Sequence, residues 1–253
     1  MTEAEDASTA GDAGREIATF GEAARRLAAV LFQPAKTFAA IAHLPTWGLA
    51  LLLLCSTTLV VKFLVEPRIS PESLRAFLED RGVPAENIDE AVEQQLSPAP
   101  GARFISAVSA FGGAGLFYVV TAAIFLALAR LMGSEIDFRR SLAVATHGLL
   151  PFAVATLVAI PVILSRPSID FQETFAGNFL ASHAGVFAGD DTGARWRALL
   201  SSIDLFSVWC IALLTIGFRV VGKLSRGAAL AVVLVPWLVA VLIKVGVAGF
   251  LGG

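Results

Sequence analysis

Three ionisable side chains in otherwise apolar stretches are the first candidates for chemistry: Lys62, Asp204 and Lys244. An ionised group at mid-membrane costs about 2.5–3.5 kcal/mol on insertion scales, so such residues are functional candidates by default. Lys62 stands about 15 residues into its stretch and Lys244 about 16 into its own, roughly 22–24 Å at 1.5 Å per residue. Asp204 opens a third stretch from the far side, so an acid and two bases fall at similar depth. That arrangement would suit a gate or an ion-coupled site. An interfacial salt bridge, or side chains snorkelling to water, is the simpler account. His147 is the other polar group within an apolar run. It could relay protons, since imidazole titrates near neutrality; a hydrogen bond to a neighbouring helix, or a reach to the interface, is the plainer role.

Reactive constellations are otherwise missing from the sequence. It has no HExxH for zinc, no GxSxG for a serine nucleophile and no P-loop. Gly112-Gly113-Ala114-Gly115 has neither the GxGxxG spacing nor a strand before it, and reads as a helix-packing surface. His43, His147 and His183 are scattered along the chain, while Cys55 and Cys210 lie in apolar runs as free thiols. No catalytic residue, metal site or cofactor is expected, and no basic stripe suggests nucleic acid.

The elements that carry these residues read as membrane spans. Charged residues make up 16% of the chain and apolar ones 56%, and the charge is swept into blocks. Phe104–Ala129 contains no Asp, Glu, Lys, Arg or His, and Ser141–Ser165 contains only His147. Runs of about 18 or more apolar residues fit the roughly 30 Å hydrocarbon core. The fold class is therefore all-α, a polytopic membrane protein of five transmembrane helices with additional interfacial amphipathic helices. The spans fall near 47–65, 104–131, 141–164, 203–221 and 228–250. Pro151 and Pro161 should kink the third and Pro236 the fifth.

Residues 1–14 read as a disordered acidic tail, and 15–45 as cytoplasmic interfacial helices. In the first of these, Ile17, Phe20, Ala24, Leu27 and Leu31 share a face, with Arg15, Glu22, Arg25 and Arg26 opposite. The membrane domain fills 46–251. Its long connections, 66–103 and 166–202, should hold short amphipathic helices. One starts at Ser70-Pro71-Glu72, and Phe171, Phe175, Phe179 and Leu180 suggest an interfacial or re-entrant helix. Ser109-xxx-Gly113, with Ser106, Ala110 and Ala114, gives the second span a small-residue face that would suit a homodimer.

Short loops rich in Lys and Arg stay on the cytoplasmic side. Arg130, Arg139 and Arg140 lie between spans two and three, and Arg219, Lys223 and Arg226 between four and five. By contrast, residues 66–103 hold eight acids against four arginines, which marks them as outside. The N-terminus is therefore expected inside and the C-terminus outside. Arg219, Lys223 and Arg226 could also contact anionic lipid headgroups.

Three segments resemble one family. FQPAKTFAAIAHLPTW is similar to the membrane entry of bacterial YIP-domain proteins, relatives of the eukaryotic Ypt/Rab-interacting proteins. LARLMGSEIDFRRSLAVATHGLLP resembles their link between spans two and three, and SIDLFSVWCIALLTIGFRVVGKLSRGAALAVVLVPW is the fullest match. The resemblance implies a five-helix bundle and carries over Pro34, Phe38, Pro45, Trp47, Pro151, Asp204, Leu205, Phe206, Trp209, Gly217, Ser225, Gly227 and Pro236, in structural roles. In the eukaryotic branch it implies Rab-type GTPase binding, which the short N-terminal segment here does not carry over. The expectation is a bacterial inner-membrane protein in the lipid bilayer, acting without catalysis as a scaffold, membrane-organising module or partner of another membrane or membrane-associated protein. The alternative is a small transporter or channel using Lys62, Asp204 and Lys244.

Overall fold

The computed structural model describes residues 19–176, 179–189 and 191–251. The expected acidic tail, and Arg15 and Ile17 of the first helix, lie outside the described residues. The helices run α1 (Phe20–Phe32), α2 (Pro34–His43), α3 (Gly48–Val65), α4 (Pro71–Asp80), α5 (Ala85–Leu96), α6 (Pro100–Leu131), α7 (Phe138–Gly148), α8 (Leu150–Ser165), α9 (Phe171–Ala176), α10 (Ala194–Leu200), α11 (Leu205–Val220) and α12 (Arg226–Leu251). Among the described residues β-structure is limited to two isolated bridges, Ile69 with Ile169 and His183 with Asp204.

Four helical stretches of the described residues are long and apolar enough to cross a membrane: Gly48–Arg68, Pro100–Leu131, Phe138–Ser165 and Arg226–Gly249. The fifth expected span, Leu205–Val220, is apolar but has 16 residues. At 1.5 Å per residue it reaches about 24 Å, short of a 30 Å core.

Helix α7 lies at the centre of the bundle. Every residue from Ser141 to Gly148 is buried. Glycines allow that approach. A Cβ added at Gly148 would sit 2.5 Å from Leu214 Cδ2, and one at Gly217 would sit 2.6 Å from Val144 Cγ1. Helices α7 and α11 thus pack with little more than backbone between them at these points. The Ser141 hydroxyl donates to the Ala122 carbonyl at 2.8 Å, fastening α7 to α6 without leaving a buried donor unmet.

Two parts of the N-terminal segment differ from the sequence reading. Pro34 does more than end α1. It starts α2, because its fixed φ suits a first helical turn, and Phe38 and Ile41 from α2 are fully buried in the main core. Gly217 leaves room for the Phe38 ring, whose Cε1 and Cζ lie 3.1 Å from where its Cβ would be. Arg26 departs further. Expected on the polar side of α1, it is 7% exposed. Its guanidinium donates to the Leu44 carbonyl at 2.7 Å and Thr46 Oγ1 at 3.3 Å, and pairs with Glu22. Those partners make its burial tolerable, since a buried charge must have its donors taken.

The third expected span is two helices meeting at Leu149. Pro151 has no N–H to continue the ladder and sits in the first turn of α8. Pro161 and Pro236 remain inside α8 and α12.

The two ends of the bundle are chemically different. At one, the turn after α6 is joined to the turn after α11 by the Ser134 hydroxyl donating to the Gly222 carbonyl at 2.6 Å. Arg140 Nε donates to the Ala42 carbonyl at 2.9 Å and brings in the end of α2. At the other, α4 and α5 form a hairpin with Leu74 and Ile88 buried and Arg75 paired with Asp89. The Ser70 N–H donates to the Ile169 carbonyl at 2.9 Å, and the Phe77 and Phe171 rings meet edge-on at 4.9 Å, docking the hairpin on α9. Val65, Ala159, Ile163, Ile169 and Phe179 form a second small core beneath it.

Candidate functional site

Asp204 is held by helix capping. With extended backbone before α11, its Oδ1 accepts the N–H groups of Phe206 at 2.9 Å and Ser207 at 3.1 Å. The Ser207 hydroxyl donates to Oδ2. A carboxylate belongs here: it satisfies donors that a helix start leaves free and sits at the positive end of the helix dipole. Lys62 instead pairs with Glu66 at 3.3 Å, one turn further along the end of α3. Lys244 donates to the Ser201 hydroxyl at 2.9 Å. Among the described residues no ion pair links Lys62, Asp204 and Lys244.

Asp204 also lies on the wall of a cavity of about 360 Å³ on the hairpin side of the bundle. Thr57 and Thr58 of α3, Tyr118 of α6, Thr156 of α8 and Ser182 contribute hydroxyls to that wall. Phe152, Phe179 and Phe206 supply aromatic faces. The hydroxyls of Thr57 and Thr58 donate to the Leu54 carbonyl of their own helix. Its walls come from α3, α6, α8, α9, the segment after α9 and the start of α11. The bridge of His183 with Asp204, through Ala184 N–H to Ile203 O at 2.9 Å and Leu205 N–H to Ser182 O at 3.1 Å, sets Ser182 beside Asp204.

His147 is far from exposed, at 1%. Its Nδ1 lies 3.0 Å from the Ala143 carbonyl in its own helix, so that nitrogen carries the proton. Its Nε2 has no hydrogen-bond partner among the described residues. Among the described residues the neighbouring-helix bond suggested by the sequence is not made.

Arg219, Lys223 and Arg226 are all exposed at the end opposite the hairpin, as are Lys36, Arg130 and Arg139. Lys223 has a positive φ of 54°, a left-handed conformation at the turn that follows α11. No group of three or more His, Cys, Asp or Glu side chains is placed to hold a metal among the described residues.

The Yip1 domain model matches residues 28–247. The chain belongs to the Yip1-domain family. No curated protein and no solved structure gives a match. Yip1-domain proteins are a membrane-associated family and not a known enzyme family. The motif residues of this Yip1 chain fall largely at helix starts, breaks and close approaches. Trp47 precedes α3 and packs on the main core, with Pro45 just before it. The Asp204-Leu205-Phe206 run is the α11 cap, with Leu205 exposed and Phe206 buried against the cavity. Trp209 is half-buried one turn on. Ser225 accepts the Ala228 N–H at 3.2 Å and so starts α12, where Gly227 has open space around it.

What the sequence reading missed was Arg26 as a clamp, and the cavity hydroxyls of Thr57, Tyr118, Thr156 and Ser182. Their one sequence signal was a polar residue within an apolar run, which is also what an ordinary membrane helix contains.

Proposed function

We propose that this Yip1-domain chain is a non-enzymatic membrane module that crosses the bilayer five times, with its N-terminus inside and its C-terminus outside a bacterial inner membrane, and that it binds another membrane protein or organises lipid. The observation that carries this reading is the separation of charge between two hydrogen-bonded ends. Exposed Lys36, Arg130, Arg139, Arg219, Lys223 and Arg226 cluster around turns joined through Ser134, Gly222, Arg140 and Ala42. Basic groups of this kind are retained on the cytoplasmic face and attract anionic lipid. The acid-rich α4–α5 hairpin occupies the opposite end. In this reading α11 crosses a locally thinned bilayer, or is extended at its ends by the turns around Asp204 and Val221.

A binding role is supported by α6. Its first half stands clear of the bundle: Phe104 is 71% exposed and Ile105 66%, and Gly112 and Gly113 have nothing within 4 Å of an added Cβ. Transmembrane helices associate through surfaces of this composition, in a homodimer or with another protein. The transporter alternative draws on Lys62, Asp204 and Lys244, whose separate partners favour structural duties.

Purification from native membrane should retain a specific membrane protein or anionic lipid. If nothing copurifies, and proteoliposomes pass a solute in a manner abolished by Asp204→Asn, the transporter reading replaces it.

A further inference from the structure

The cavity beside Asp204 has properties that helix capping does not require. At about 360 Å³ it falls in the size range of small-ligand sites, which combine apolar walls with a few convergent polar groups. Tyr118, Thr156 and Ser182 line it, and their hydroxyls make no hydrogen bond to protein among the described residues. Each such hydroxyl is both donor and acceptor. All three residues are part-exposed, so their hydroxyls are reachable from the cavity and open to hydrogen bonds from whatever fills it, water or a ligand.

Charge narrows the occupant. Asp204 is the one charged side chain among the described lining residues; Lys244, which feels the Asp204 charge, stands outside the lining with its ammonium on Ser201. A phosphate or carboxylate would meet the Asp204 carboxylate with no cation among the described lining residues. An ammonium ion or metal would find a carboxylate whose oxygens already take three hydrogen bonds from Phe206 and Ser207. What remains is an uncharged group rich in hydroxyls, whose O–H groups bond to the free donor–acceptors. The Phe152, Phe179 and Phe206 rings would cover its C–H surface.

We propose that this cavity binds an uncharged polyhydroxyl group, presented either as the headgroup of an amphiphile or as a free polyol. The site does not depend on whether the protein scaffolds or transports.

The test uses the full chain in phosphatidylglycerol nanodiscs. It is titrated with octyl glucoside, octyl phosphate and octyltrimethylammonium below their micelle concentrations, and with glucose, using saturation-transfer NMR and native mass spectrometry. Octyl glucoside should saturate one site at least tenfold more tightly than either charged amphiphile. Glucose binding as tightly identifies a free polyol; binding of octyl glucoside alone identifies a headgroup. Thr156→Val with Ser182→Ala should weaken the bound probe about tenfold, equal to about 1.4 kcal/mol, and Tyr118→Phe should weaken it by a similar factor. Thr156→Ser should restore it. Because these hydroxyls hold no protein group, the melting temperature should not move, which separates lost binding from lost folding. Equal affinity for the three amphiphiles, or affinity indifferent to all of these substitutions, overturns the proposal. So does tighter binding of octyltrimethylammonium that Asp204→Asn abolishes.

Discussion

Replacing Gly217 by alanine puts one methyl group at a close approach of α11 to α7 and α2. That carbon would lie 2.6 Å from Val144 Cγ1 and 3.1 Å from two carbons of the Phe38 ring. Comfortable carbon–carbon contacts are about 3.5–4.0 Å, so the Val144 contact is about 1 Å too short. Val144 and Phe38 are both fully buried, and a β-branched side chain in a helix is nearly confined to one rotamer. Either α11 moves away from α7 or Val144 leaves its well. Overpacking of this kind costs about 1–3 kcal/mol, and the better helix propensity of alanine returns about 1 kcal/mol. The net loss is about 0–2 kcal/mol. In a Val144→Ala background the worst contact is gone and only the milder Phe38 contacts at 3.1 Å remain, so the same substitution should destabilise less, or stabilise by up to about 1 kcal/mol. The assay is reversible unfolding of the four proteins of this double-mutant cycle in mixed micelles. A Gly217→Ala change that destabilises equally in both backgrounds would refute the reasoning. So would one that stabilises the otherwise unaltered chain.

The remaining predictions address the cap, the strained turn and the hairpin. Asp204→Ala should cost about 1 kcal/mol of unfolding free energy and Asp204→Asn much less, because asparagine caps nearly as well as aspartate; equal losses in thermal unfolding would assign the effect to charge instead. Lys223→Gly should relieve the left-handed backbone strain at φ 54° and raise the melting temperature. It should also lower retention of anionic lipid about fivefold, matching about 1 kcal/mol per basic group near such a surface; unchanged retention removes Lys223 from the headgroup contacts. At the hairpin, the Ser70 hydroxyl donates to Glu72 Oε2 at 2.8 Å and is the first cause holding the Glu72 carboxyl below the usual carboxylate range, with a backbone hydrogen bond adding to it. A depressed value in the folded state gives stability that is present above the ordinary carboxylate pKa and is lost as pH falls through the lowered one. Ser70→Ala should move the Glu72 titration, followed by NMR, back towards its ordinary value; an unmoved titration counts against the hydrogen bond.

Several elements were legible without any tertiary information, because local interactions set them. Ser70 followed by Pro71 starts a helix because both residues satisfy the needs of a first turn within a few bonds. Pro151 interrupts the chain near Leu149 for an equally local reason, its missing N–H. The four long apolar helices follow from run length alone. Asp204 could be picked out as unusual, although its capping role emerged only with the extended backbone in front of α11.

Other features depended on which surfaces meet. Helical periodicity reports that one face of α1 is apolar, but Arg26 points inward because the carbonyl of Leu44 and the hydroxyl of Thr46 come round to receive it. In the same way, an apolar face on α2 could rest against lipid or against protein, and the space beside Gly217 put Phe38 into the core. The cavity was invisible because Thr57, Tyr118, Thr156 and Ser182 come from separate elements, each carrying a single hydroxyl that looks incidental on its own helix. Apolar runs and backbone-capping residues act over one helical turn and so are written locally. Burial of a cation, close approach of two helices and convergence of hydroxyls are properties of pairs distant in the chain, and only the packing of the bundle brings those pairs together.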